Sequence, residues 1–188
     1  MTEAEFVALV LRNPVNQAIL TRLPSLGLAD TWLVSGSLFQ TVWNLQTGRD
    51  AGHGIRDYDL FYYDPDTSYA AEDAVIRHVQ QAFADLPATI EVRNQARVHL
   101  WYGKKFGAPY PPLTRASDGI DRFLMPCAQV GIRNGKAGYE VYAPKGLADV
   151  ADIIVRPNDT PNFQAARYAE KTARWKALWP ELTVVPAI

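Results

Sequence analysis

Apolar residues along the chain follow two rhythms. From Ala70 to Leu86, Ala74, Val75, Val79 and Phe83 recur at helical steps and predict an amphipathic helix. Phe6 to Leu11 is a short apolar run of helical character. Asn13 then offers an N-cap, with Pro14 at the first helical position, for a second helix reaching about Leu23. A last helix is expected over Asp159 to Trp179, with Pro161 near its first turn and Tyr168, Trp175, Leu178 and Trp179 as its buried side. Elsewhere the rhythm shortens to that of strands: Thr31 to Val34, the aromatic stretch Arg56 to Tyr63, and a long alternating run from Thr89 to Trp101. Between the first two of these, Ser37 and Gln40 have capping-box spacing for a helix that Gly48 stops, and the polar loop Arg49 to Gly54 follows. Gly103 to Asp118, with Pro109, Pro111 and Pro112, reads as an irregular loop able to cover a site. Gln129 to Tyr142 reads as a hairpin turning at Asn134-Gly135. Helices thus alternate with strands, without an internal repeat, and the fold class expected is α+β (mixed α/β), a mixed sheet with helices packed on it.

Composition narrows the function. A chain of 188 residues, 48% hydrophobic and 21% charged, is expected to form one domain over 1–188 with its core at about 30–160. Nineteen Lys and Arg against twenty Asp and Glu leave a net charge of −1, which disfavours a protein living by contacts to the nucleic-acid backbone. No apolar run nears the roughly 20 residues that span a bilayer, and the first residues, MTEAEFVALVLRN, carry acids where a secretory signal carries bases. Cys127, the single cysteine, has no partner for an internal disulfide and reads as a small core residue. A cytoplasmic protein is expected.

Three features carry chemistry. Ser35-Gly36-Ser37 lies between a strand end and a helix start, where unpaired backbone N–H groups suit a phosphate; an ordinary N-cap gives the same pattern. Asp57-Tyr58-Asp59 places two carboxylates on one side of a strand, a repulsion that a divalent cation relieves and that solvent relieves at a strand end. Glu91, between the core-facing Ile90 and Val92, points away from the core, toward Asp57 and Asp59 if the two strands are neighbours; as an isolated residue it is a surface acid.

Together these residues resemble the nucleotidyltransferase superfamily typified by DNA polymerase β: Gly-Ser at a helix start, Asp-x-Asp on the next strand, and a third carboxylate on a later one. Further segments, Asn94-Gln95-Ala96-Arg97-Val98-His99-Leu100-Trp101, Ala143-Pro144-Lys145-Gly146-Leu147 and Val155-Arg156-Pro157-Asn158, are similar to a small bacterial nucleotidyltransferase family. The resemblance spans roughly residues 30 to 160. The stretch between Ser37 and Asp57 is longer than the superfamily's usual one, and the helix and the Arg49 to Gly54 loop absorb the excess as a surface insertion.

The resemblance implies a polymerase β-like fold and a reaction in which an acceptor hydroxyl attacks the α-phosphate of a nucleoside triphosphate and pyrophosphate leaves. It implies a two-ion Mg²⁺ site held by Asp57, Asp59 and Glu91, with Gly36 and Ser37 on the β- and γ-phosphates. Alternation along Thr89 to Trp101 adds Arg93 and Arg97, on the side of Glu91, as guanidiniums for the triphosphate or as ion-pair partners of Glu91 or another nearby acid. His99 continues the same alternation as a structural residue, and His53 sits in the loop beside the site. Arg167, Lys171 and Arg174 form a basic stripe on the last helix, expected as a solvated face that an RNA acceptor would use. The acceptor expected is a small molecule or a protein, nucleic acid less so, and a homodimer is an open assembly. The alternative is a catalytically silent nucleotide-binding or protein-interaction module, regulatory or antitoxin-like, on the same fold.

Overall fold

The computed structural model describes residues 1–187. The chain opens with helix α1 (Glu3–Val10), closed by a reciprocal capping box between Thr2 and Glu5, and helix α2 (Pro14–Arg22), whose cap Asn13 accepts from the N–H groups of Val15 and Asn16 at 3.0 and 3.4 Å. Strand β1 (Trp32–Val34) leads into helix α3 (Gly36–Gln46). Strand β2 (Tyr58–Tyr62), helix α4 (Tyr69–Ala82) and strand β3 (Ile90–Asn94) form a crossover unit, so β2 and β3 run parallel. Helices α5 (Val98–Phe106) and α6 (Ala116–Ile120) precede the hairpin of β4 (Gly131–Gly135) and β5 (Gly138–Tyr142). Helix α7 (Ala148–Ala151), strand β6 (Ile154–Val155), helix α8 (Ala165–Leu178) and strand β7 (Thr183–Val184) complete the order. The main sheet is mixed, β3-β2-β1-β4-β5, and β6 pairs with β7 separately.

The sheet divides its side chains by face. Tyr58, Leu60, Tyr62 and Val92 join the main core with Leu38, Phe39, Val42 and Trp43 of α3 and Val79 of α4. Asp59, Phe61, Glu91 and Arg93 alternate with them and turn the other way. On that second face Trp32 and Val34 pack with Ala116 and Ile120 of α6, and Phe61 and Tyr63 pack against the same cluster. Helix α8 anchors to α3 through edge-on rings: Trp175 stands 5.1 Å from Phe39, and Trp179 stands 5.6 Å from Trp43.

The structure corrects four of the expected elements. The strand expected to Trp101 stops at Asn94, which is 1% exposed and bends the chain: its Oδ1 accepts from the N–H groups of Asp64 and Ala96, and its Nδ2 donates to the Asp64 carbonyl at 2.9 Å. The helix expected from Asp159 starts at Ala165, because the buried Asn158 and Asn162 donate from their side chains to the carbonyls of Phe123 and Arg122 and pin that segment down unwound. The hairpin turns at Lys136-Ala137, since Gly135 pairs with Gly138, whose φ of +128° a glycine tolerates. The loop expected over Gly103 to Asp118 is helical at both ends, with α5 stopping at Gly107 (φ +68°).

Candidate active site

Register sets Asp59 beside Glu91. In β2, Asp59 stands opposite Val34 of β1 on one side and opposite Glu91 of β3 on the other. Asp57 lies outside β2, exposed just ahead of Tyr58, because the ladder begins with the Tyr58 N–H donating to the Thr89 carbonyl at 2.9 Å. Burial, reinforced by the charges of Asp57 and then Glu91, pushes the Asp59 carboxyl up to about 7; Lys171 and Arg93 oppose the rise. Glu91 accepts from Arg93 Nη2 at 3.2 Å. Among the described residues, no three acidic, His or Cys side chains are gathered tightly enough to form a metal cluster. Asp57 and Asp59 nevertheless line one cavity, and two mutually repelling oxygen donors there fit a Mg²⁺ ion, which takes one or two carboxylates plus phosphate oxygens.

The turn beside them comes from the β1–α3 junction. Because Val34 pairs with Asp59, the next residues, Ser35 and Gly36, enter the same cavity. Helix α3 starts at Gly36, not after Ser37 as expected; the cap is Ser35, in a left-handed conformation (φ 57°, ψ −116°) with its N–H donating to the Val130 carbonyl at 2.8 Å. The Leu38 and Phe39 N–H groups bond back to the Ser35 carbonyl, whereas those of Gly36 and Ser37 meet no acceptor among the described residues. The Ser37 side chain is fully buried and its Oγ is unpartnered, so a phosphate role for Ser37 rests on its backbone N–H and not on its hydroxyl.

The two arginines separate. Arg93 lines the cavity, as alternation predicts, and is also the ion-pair partner of Glu91. Arg97 does not reach the cavity: it follows the Asn94 turn, forms an ion pair with the buried Glu72 of α4, and donates from Nε to the Thr67 carbonyl at 2.8 Å. His99, in α5, has a buried Nδ1 without a partner and lies outside the cavity lining. His53 stacks edge-on against Trp179 at 6.2 Å and lies outside the cavity lining.

A profile of the nucleotidyltransferase family matches residues 21–184. The chain belongs to that family. It is also similar to a solved structure described as an NMR structure that reveals a CCA-adding enzyme head domain: TM-score 0.78, 27% identity, with 99% of this chain and 97% of that chain covered. A comparison with curated proteins gives no match. Among the described residues, no helix of this nucleotidyltransferase is long and apolar enough to cross a membrane.

The nucleotidyltransferase cavity, about 220 Å³, has a basic wall that the sequence reading placed in solvent. Arg167, Lys171 and Arg174 of α8 all line it. Arg167 donates to the Tyr102 hydroxyl at 3.0 Å and stands over the Phe106 ring at 3.8 Å. Burial, and then the charges of Arg174 and Arg167, hold the Lys171 ammonium below its ordinary pKa, while Asp59 and Asp57 pull it back up. The signal was present in the spacing: Lys171 falls three residues after Tyr168 and four before Trp175, on the side of the helix that both bury.

Proposed function

We propose that the chain transfers a nucleotidyl group from a nucleoside triphosphate to an acceptor hydroxyl on a small molecule or protein, with release of pyrophosphate. Asp57 and Asp59 would hold Mg²⁺, and Glu91 would complete the acceptor side and take the acceptor proton. When bound, the metal supplies charge for the attacking and leaving oxygens. The unpaired N–H groups of Gly36 and Ser37 receive phosphate oxygens, as an open helix start does. Arg93, Lys171 and Arg174 face the same space and offset the charge of the triphosphate. The near-neutral net charge supports a small or protein acceptor over a long nucleic acid.

One observation carries this reading. Ser35 and Gly36 line one cavity with Asp57, Asp59 and a basic wall, while Glu91, outside that lining, stands opposite Asp59 in the ladder; this juxtaposition supports the reading. The test is thermal unfolding of the wild type and of the Asp57→Asn/Asp59→Asn double variant with each nucleoside triphosphate, with and without Mg²⁺. A nucleotide at 100 times its dissociation constant is expected to stabilise the wild type by about 2.7 kcal/mol, only with Mg²⁺, and not the variant. Equal responses from the two proteins sink the assignment. The ion pair between Glu91 and Arg93 favours one second reading, a silent nucleotide-binding module, which would bind nucleotide yet release no pyrophosphate.

A further inference from the structure

Two residues that line the cavity each carry a buried polar atom that the fold leaves unpaired. Gln95 is 1% exposed, yet its Oε1 has no donor, while its Nε2 donates to the Arg93 carbonyl at 3.3 Å, an arrangement that assigns the oxygen to the other side. Nε of Arg122, just after α6, is buried without an acceptor, and both side chains line the cavity that contains Asp57 and Asp59. Buried polar groups are nearly always paired, so two exceptions in one cavity call for a ligand that pairs them. Packing keeps one of them in place: a Cβ at position 119 would overlap Gln95 Oε1, so α6 closes on the amide only because residue 119 is glycine. Trp101, Tyr102, Tyr110 and Phe123 line the same cavity with flat apolar rings.

Position along the strand separates this end from the carboxylates. The Gln95 N–H donates to the Tyr62 carbonyl at 2.8 Å, extending the parallel ladder in which Asp59 pairs with Glu91. Four residues beyond Glu91 correspond to about 13 Å of strand. A triphosphate held at Asp57, Asp59 and Gly36 with its nucleoside along β3 would bring the base to Gln95. We propose that Gln95 and Arg122 determine which nucleotide is used: Gln95 Oε1 accepts a hydrogen bond from an N–H on the base edge, and Arg122 Nε donates to a neighbouring ring nitrogen or carbonyl of that base. The proposal rests on the nucleotidyl-transfer reading and names the residues that select its donor.

The experiment is calorimetric titration of ATP, CTP, GTP and UTP, each with Mg²⁺, into the wild type, Gln95→Leu and Gly119→Ala. The wild type is expected to prefer one nucleotide by about tenfold or more, as a site that hydrogen-bonds a polar edge does. Both variants are expected to shrink that preference to about threefold or less, Gly119→Ala by displacing the amide without removing a hydrogen-bonding group. Gln95→Leu deletes an unpaired acceptor along with one donor to the Arg93 carbonyl, so the ligand-free melting temperature is expected to stay close to that of the wild type. A wild type that binds the four nucleotides equally overturns the proposal. So do variants that keep the wild-type preference, which would make this end of the cavity the acceptor's, and so does a Gln95→Leu protein that unfolds early, which would make Gln95 structural. If none of the four binds the wild type, the nucleotidyl-transfer reading falls and this one with it; binding with an unaltered preference removes this one alone.

Discussion

Asp59 is the residue whose chemistry depends most on its surroundings. Folding buries it between Val34 and Glu91 and raises its carboxyl to about 7, so the folded protein holds a proton that the unfolded chain, titrating near the ordinary aspartate value, has already released. The sign follows: the stability this provides is complete below the unfolded pKa and is lost as pH rises through 7. In metal-free buffer the melting temperature is therefore expected to fall between pH 6 and 8. Asp59→Asn should flatten that slope and raise stability at pH 8 by about 2 kcal/mol, about 4–8 °C for a chain of this size. A melting curve series at fixed ionic strength decides it. With Mg²⁺ the dependence reverses, because the ion binds the carboxylate form: the stabilisation by added Mg²⁺ should grow over the same interval. Asp57 is exposed and outside the ladder, whereas Asp59 stands within it opposite Glu91.

At the scale of elements, the end of β3 decides which arginine belongs to the site. A strand continuing to Trp101 would have carried Arg97 on the side of Glu91 and Arg93. The Asn94 turn rotates the chain instead, and Arg97 crosses to α4, where it pairs with Glu72, itself 7% exposed. Breaking a buried pair from one side leaves the other charge unpaired, at a cost of about 3–5 kcal/mol. Arg97→Met is therefore expected to lower the melting temperature markedly while leaving the affinity for nucleoside triphosphate within about twofold of wild type. Calorimetry on the folded variant separates this from a phosphate-binding arginine, which would lose affinity at unchanged stability. The β1–α3 junction makes the complementary point. Gly36 and Ser37 are legible as a phosphate turn, yet the cap is Ser35, two residues earlier than capping preferences suggest, with its N–H donating to the Val130 carbonyl.

Across the whole molecule, the cavity is assembled from both ends of the family match and from parts far apart in sequence: the β1–α3 turn, the start of β2, the end of β3, α5, α6 and α8. Helix α8 closes it because Trp175 and Trp179 lock onto Phe39 and Trp43 of α3, which carries its basic residues to the carboxylates. If the triphosphate lies along that wall, Lys171→Met should weaken binding of a nucleoside triphosphate by about tenfold and that of the corresponding monophosphate by less than about threefold, with no loss of stability, since a partly buried ammonium becomes an apolar side chain of similar length. Titrating both nucleotides with Mg²⁺ into the variant checks it; an equal loss for the two would place Lys171 elsewhere than on the phosphate tail.

The sequence by itself determined the α+β class, most of the helices and strands around the site, and the order of the turn and the three acids, because these are written in local spacing: periodicity for helices and strands, and Gly and Pro for breaks; the family followed from motifs that resemble it. Only the tertiary structure decided which of these residues share a cavity. Strand register set Asp59 opposite Glu91, a buried asparagine turned Arg97 away, and packing of aromatic rings against α3 made a cavity wall of a stripe that reads as solvent-facing. The physical reason is the same in all three: a side chain's neighbours across a sheet or between helices are fixed by long-range pairing and burial, which spacing along the chain does not encode.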